Sequence, residues 1–288
     1  MAIDRYFLGC PIWSRKDWVG HLYRRSARPA EYLAQYAAVF NAVEGNTTFY
    51  SVPREDVVER WRETTPASFR FCFKLPRTIT HDLRLRNADF ETDEFLRRMA
   101  PLGERLGPFM IQLPPSFGPE SIDVLAAFLN RLPADFHFSV ELRHRDYYGT
   151  PESSRRVDEL LYEHRAERIL MDTRPLRSGD PDHPEMGEAL GKKPDLPIRP
   201  VAIGERPILR LINHPEQPNN EPWIERWCRT LTHWIEQGRR PYVFVHCPND
   251  FHSPAISRRL HAVLSKNVDV GEMPAWPADT ETRQLSLL

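Results

Sequence analysis

The sequence predicts a TIM-barrel-like (β/α)8 barrel, regular or irregular, over residues 1–265. Three observations carry this expectation. Eight apolar runs of strand length alternate with amphipathic stretches of helix length. Strands separated by helices pair in parallel, because each helix returns the chain to the same edge. The 288 residues also accommodate the roughly 250 that such a barrel needs. An open doubly wound sheet would carry a glycine-rich turn after its first strand, and none follows Cys10.

The elements follow in order. The first strand, 6–10, runs into a tryptophan-bearing loop that holds Trp13 and Trp18. The first helix, 29–40, has Pro29 in its first turn and Tyr32, Leu33, Tyr36, Ala37 and Phe40 at helical spacing. The second strand ends at Glu44, where Gly45 gives a tight exit. Helix 54–64 aligns Val57, Val58 and Trp61 on one face. Strand 69–75 precedes a basic loop through His81 to Asn87, and helix 92–106 leads to strand 109–113, stopped by Pro114 and Pro115. Helix 119–132, strand 136–142, helix 152–164 and strand 168–172 continue the alternation. Residues 173–206 then lose the periodicity and read as a long functional loop or insertion. Strand 207–212, helix 222–237 with its stop at Gly238, strand 242–246 and helix 254–264 complete the series. Residues 266–288 read as a flexible tail.

Composition narrows the class. Hydrophobic content of 41% and charged content of 27% suit a soluble globular protein. A net charge of −1 gives no global field for nucleic acid or anionic membranes, so any attraction for anions is local. The four cysteines form no CxxC pair, and three lie in strand-like runs, which points to reduced thiols and a cytoplasmic setting. No run reaches the about 20 apolar residues of a membrane span, and no signal-peptide pattern opens the chain. The 27 prolines against 13 glycines indicate stiff, defined loops. GxSxG, P-loop, HExxH and paired CxxC signatures do not occur. Cys10 and Cys247 lie near strand ends, where a buried thiol is the simpler reading of each.

In a barrel of this kind the chemistry lies at the C-terminal ends of the strands. Those ends present Trp13; Glu44, Asn46 and Tyr50; Lys74 and His81; Gln112; Glu141 and Arg143; Asp172; Arg210; and His246. Glu44, Glu141 and Asp172 are the candidate acids. Neighbouring carboxylates can be tuned apart into an acid/base pair. With His246 the three could instead hold a divalent metal ion. In a third reading, Glu141 joins Arg143, Lys74 or Arg210 in a structural ion network. Lys74, Arg77, His81, Arg84, Arg86, Arg143 and Arg210 supply positive charge suited to phosphate or carboxylate oxygens, although Arg84 and Arg86 could equally just solvate a loop. Trp13, Trp18, Phe49 and Tyr50 form either a stacking wall or packing over the strand ends.

Several motifs keep a family order. They include Gly9-Cys10-Pro11-Ile12-Trp13, Glu44-Gly45-Asn46-Thr47-Thr48-Phe49-Tyr50, Lys74-Leu75-Pro76, Thr80-His81, Gln112-Leu113-Pro114-Pro115 and Glu141-Leu142-Arg143. Over about residues 5–265 the chain resembles the YecE-like family, domain of unknown function 72. The resemblance implies a TIM-barrel-like fold and assigns no reaction. The chain departs from the pattern at the eighth strand, where His246-Cys247-Pro248-Asn249-Asp250 replaces the Asn-Asn pair common in that family.

The expected function is therefore an enzyme acting on an anionic or phosphate-bearing small molecule or nucleotide, by acid/base or metal-assisted chemistry. The alternative is a non-catalytic binding module. Its hook is the terminal Gln284, Leu285, Ser286, Leu287 and Leu288, which is similar to the short peptide that docks on the bacterial sliding clamp.

Overall fold

Each of the eight apolar runs forms a β-strand in the computed structural model, which describes residues 3–285. The strands are β1 (Phe7–Gly9), β2 (Ala42–Gly45), β3 (Arg70–Phe73), β4 (Phe109–Gln112), β5 (Phe138–Glu141), β6 (Ala166–Asp172), β7 (Ile208–Ile212) and β8 (Tyr242–His246). Between and after them lie α1 (Tyr32–Ala37), α2 (Glu55–Thr64), α3 (Asp89–Met99), α4 (Ile122–Arg131), α5 (Pro151–Glu163), α6 (Arg174–Arg177), α7 (Ala189–Lys192), α8 (Glu221–Glu236), α9 (Ser253–Leu264) and α10 (Pro277–Leu285).

All strand pairs are parallel, as the helical crossovers require. The strands form a curled six-stranded sheet, in the order β1-β8-β7-β6-β5-β4, and a two-stranded sheet of β2 and β3. The single closed sheet expected from the sequence is thus divided at two places. Few hydrogen bonds cross each divide: Glu44 N–H donates to Cys10 O at 3.1 Å, and Leu75 N–H donates to Met110 O at 3.0 Å. Gly9 explains how closely β1 and β2 approach, since a Cβ there would lie 2.1 Å from the Ala42 carbonyl oxygen. Gly45 has a different role from the one its sequence position suggests. A Cβ there would lie 2.2 Å from Phe73 Cδ1, so the residue makes room for a ring rather than for a turn.

Side chains alternate across the strands. One set faces the helices and forms the main core, with Phe71, Ile111, Val140, Leu211 and Val245 packed on such helix residues as Trp61, Leu125, Val157, Trp227 and Ile256. The other set faces inward. Its lower part is a separate apolar cluster that includes Phe7, Cys72, Met110, Ile208 and Phe244. Its upper part, one step nearer the C-terminal ends, is polar: Glu44, Lys74, Gln112, Glu141, Arg210 and His246 are all buried.

Residues 173–206 carry α6 and α7 and fold over the ends of β6 and β7. Leu176 and Met186 pack there on Met171 and Ile212. Glu185 bonds Asn249 and His252, the latter at 2.8 Å, which ties the segment to the loop after β8. The chain beyond Leu264 also returns to the body. Val270 is buried, the Arg258 guanidinium lies over the Trp276 ring, and Asp279 on α10 pairs with Arg258 at 3.0 Å. Ser286, Leu287 and Leu288 of the peptide read as a clamp ligand lie outside the described residues. Among those residues no helix is long and apolar enough to cross a membrane.

Candidate functional site

The polar layer is built around Arg210, the inward side chain at the middle of β7. Its Nε and Nη2 donate to Glu44 Oε2 and Oε1, each at 2.8 Å, while Nη1 donates to Glu141 Oε2. Glu141 Oε1 accepts from Arg143 Nε, and Arg143 Nη2 reaches Gln112 Oε1 at 3.0 Å. His246 Nε2 lies 2.9 Å from Glu44 Oε2. A carboxylate oxygen can only accept, so the proton sits on Nε2 and Nδ1 keeps its lone pair. Among the described residues, Nδ1 has no hydrogen-bond partner.

Burial opposes charge on both carboxyls, but their cationic neighbours win. Arg210, His246 and Lys74 hold Glu44 well below the usual carboxylate range, and Arg143, Arg210 and Lys74 do the same for Glu141. Neither can then serve as a proton donor near neutral pH. Both carboxylates pair with arginine, Glu44 with Arg210 and Glu141 with Arg143 and Arg210. Burial pushes the His246 imidazole down to about 4, against the pull of Glu44 and with the push of Arg210.

Lys74 stands apart from this network. It is 8% exposed, and its Nζ lies 3.8 Å from Glu44 Oε1, an ion-pair contact with no hydrogen bond. Burial and the adjacent Arg210 push its amine down to about 7, despite Glu44 and Glu141.

A second lysine, Lys193, is brought in by the long segment between β6 and β7. Its backbone is fixed by Arg177, whose Nη2 donates to Lys193 O at 2.8 Å. Burial lowers its pKa, and the charges of Arg210, Glu44, Glu141 and Arg143 all act on its amine. With His246 it lines a cavity of about 360 Å³ that also includes Met186 and Ile212. Larger cavities lie elsewhere, one of them of about 850 Å³ at the N-terminal ends of β5 and β6, beside His137 and Glu167. Sequence reasoning missed Lys193, because nothing periodic in residues 173–206 indicates where a given side chain will lie.

The remaining expectations divide. His81 belongs to the rim: its ring packs edge-on to Phe49 at 5.0 Å, and burial together with Arg143 and Arg77 lowers its pKa. Asn46 donates from Nδ2 to Pro11 O at 3.0 Å, and its buried Oδ1 has no partner among the described residues. Tyr50 lies at the outer edge, 82% exposed. Trp13 packs edge-on to Trp61 and Phe71 and belongs to the outer core rather than to a stacking wall. Arg84 is bound to Ser116, and Arg77 pairs with Asp82 at 3.5 Å. Cys10 and Cys247 are buried, and burial pushes both thiols up, which disfavours the thiolate.

Asp172 is not brought into the cluster. Met171 is the inward side chain at this level, with Sδ 3.6 Å from Arg210 Nη1, so alternation turns Asp172 outward. There it accepts from Trp227 Nε1 at 2.7 Å and from both ends of the Arg174 guanidinium. The metal set proposed from sequence is therefore not assembled. Glu44 and His246 are bonded to each other, Glu141 is committed to two arginines, and Asp172 faces α8. Among the described residues, no group of three or more His, Cys, Asp or Glu side chains is placed to hold a metal ion.

Comparison with known proteins agrees with this architecture. The family model described as "Protein of unknown function DUF72" matches residues 7–280. The UPF0759 protein YecE of Escherichia coli strain K12 is 37% identical over 272 residues, which cover 94% of this chain and 97% of that protein. A DUF72 family protein of Thermotoga maritima superposes with a TM-score of 0.70 at 22% identity, covering 90% of this chain and 99% of the other. One from Enterococcus faecalis gives 0.70 at 18% identity, over 94% and 99%.

Proposed function

This chain belongs to the DUF72 family, and we propose that its strand ends hold the active site of an enzyme for a small anionic molecule bearing a phosphate or carboxylate. The observation that carries this reading is a surplus of positive charge. Glu44 and Glu141 are balanced by Arg210 and Arg143, with which they form close ion pairs. Lys74 and Lys193 stand beside this balanced set, both held below the usual lysine range. An anion between them would supply the counter-charge that the protein withholds.

In this reading the roles differ from those expected of two catalytic acids. Glu44 and Glu141 are fixed counter-charges that hold Arg210 rigid. Arg143 has donors left after its bonds to Glu141 and Gln112, and with Lys193 it holds the anion. His246 Nδ1 and Asn46 Oδ1 offer acceptors to hydroxyl groups of the ligand. Lys74, close to half neutral near pH 7, exchanges protons with the substrate. The reading also takes the eight strands as one TIM-barrel-like (β/α)8 barrel, supported by the bonds from Glu44 to Cys10 and from Leu75 to Met110 across the two divides.

Titration calorimetry with inorganic phosphate at pH 8, in two buffers of different protonation enthalpy, tests the reading. Lys74 is mostly neutral at that pH, and a bound anion raises its pKa, so binding takes up protons. Lys74→Met and Lys193→Met should weaken binding and reduce the uptake. Absence of binding by phosphate and by simple carboxylates would remove the proposal.

A further inference from the structure

We propose that Lys74 forms an imine with the carbonyl carbon of an anionic aldehyde or ketone. This rests on the anion-site reading above and narrows it to a substrate class.

Composition supplies the first argument. Of 39 lysine and arginine residues only five are lysines: Lys16, Lys74, Lys192, Lys193 and Lys266. Lys16, Lys192 and Lys266 are exposed. Where this chain needs a permanent charge it uses arginine, as at positions 143 and 210. An arginine at position 74 would also serve as a charge, but only lysine offers a nitrogen that can lose its proton and attack carbon.

Geometry supplies the second. Lys74 Nζ has no hydrogen-bond partner among the described residues, so its lone pair is not consumed by the network once the proton leaves. Its nearest carboxylate oxygen, Glu44 Oε1, lies at 3.8 Å. That distance is too long for a hydrogen bond and short enough to stabilise a cation that forms on the nitrogen. Arg210 fixes Glu44 through both oxygens, so the carboxylate stays ionised and in place. Burial beside a guanidinium is a known way of activating a lysine amine.

The step balances. The neutral amine attacks the carbonyl carbon, forming the C–N bond, and a nitrogen proton passes to the oxygen to give a carbinolamine. One further proton from solvent lets that oxygen leave as water, and the nitrogen becomes an iminium facing Glu44. No oxidant or reductant is consumed. The anionic group of the substrate lies against Arg143 and Lys193.

Reductive trapping on the full chain tests this. Glyoxylate or glycolaldehyde phosphate is supplied with cyanoborohydride at pH 7, and the adduct is mapped by peptide mass spectrometry. An amine at about 7 has roughly a thousandfold more free base at that pH than an ordinary lysine. The lower basicity weakens its attack, so labelling of Lys74 is expected to be about tenfold faster than of Lys16, Lys192 or Lys266. It should rise with pH through about 7, be suppressed by inorganic phosphate, and exceed labelling by uncharged glycolaldehyde. Even labelling of the exposed lysines, or labelling of Lys193 instead, overturns the proposal. Mapping on the unmodified chain decides the matter even if Lys74→Met does not fold. Phosphate binding without an adduct removes the imine and leaves the anion site standing, whereas loss of both removes both.

Discussion

Arg210 and Glu44, on β7 and β2, meet fork to fork, with two bonds of 2.8 Å between side chains 166 residues apart in sequence. Both are buried, and the same guanidinium also holds Glu141. A charge removed from water at this depth is tolerated only while its partner remains.

Removing the shared cation is therefore expected to cost more than removing one anion. Arg210→Met leaves Glu44 and Glu141 without their shared guanidinium, with His246, Lys74, Arg143 and Lys193 as the remaining partners. The expected loss is about 3–5 kcal/mol. Glu44→Gln keeps the shape and leaves Arg210 paired with Glu141, so it should lose clearly less. Urea denaturation of the two variants checks the order, and equal losses would mean that Arg210 is not the centre of the network.

The stability of the protein should fall on mild acidification. An ordinary histidine titrates near 6.5, whereas His246 in the fold is held down to about 4. Between those values the unfolded chain binds more protons than the folded one, so stability rises with pH across the window and is lost as pH falls through it. His246 alone would account for about 3 kcal/mol at most. Glu44 and Glu141, whose folded values are depressed, add a further loss that begins only below the ordinary carboxylate range. Melting curves from pH 7 to pH 4 should show a decline that is shallower in His246→Phe.

Much of this network is legible in the sequence, and the parts that are not have physical reasons. Glu44, Lys74, Gln112, Glu141 and Arg210 could be named because eight strand ends must converge if the strands alternate with helices. Asp172 fits the same rule, yet its side chain faces the helices. All of β6, from Ala166 to Asp172, is buried on both faces, so alternating polarity gives no sign of which residues turn inward. Lys193 failed for the opposite reason, since it lies in a segment whose path is set by tertiary contacts such as Met186 on Ile212. Trp13 illustrates a third limit: an aromatic at a strand end packs equally well inside or outside the strands.

The outward position of Asp172 makes a separable prediction. Its partners are Trp227 and Arg174, and none of its bonds reaches the Arg210 cluster. Asp172→Ala leaves the buried Trp227 Nε1 donor without its acceptor, which costs about 1–3 kcal/mol. Phosphate affinity should remain nearly unchanged, since Asp172 turns away from the cluster and its side-chain bonds go to Trp227 and Arg174. Calorimetry on the variant below its melting temperature checks this. A large loss of affinity would return Asp172 to the functional set.

Lys74 should trade stability for function. A lysine that ordinarily titrates near 10.5 is held to about 7 by the fold, so its burial destabilises the protein at and below neutral pH, and the cost fades as pH rises toward 10.5. Lys74→Met is similar in volume and has no charge to desolvate. It should raise the melting temperature at pH 7, raise it less at pH 10, and weaken phosphate binding. Loss of stability at both pH values would instead place Lys74 among the groups that hold the network together.

The two strand glycines separate a clash with backbone from a clash with a side chain. A methyl group on Gly9 would meet the Ala42 carbonyl, where the backbones of β1 and β2 approach, and neither can move without opening that divide. A methyl group on Gly45 would meet the Phe73 ring, which belongs to the aromatic stack with Trp61 and Phe71. Overpacking of this kind costs about 1–3 kcal/mol and sometimes more. Gly9→Ala should fall at or beyond the upper end, and Gly45→Ala within the range. Phe73→Leu removes the ring edge, so it should rescue Gly45→Ala in part and leave Gly9→Ala unchanged. A double-mutant cycle by thermal denaturation measures the coupling. A coupling near zero between positions 45 and 73 would mean that the ring is not what requires glycine there.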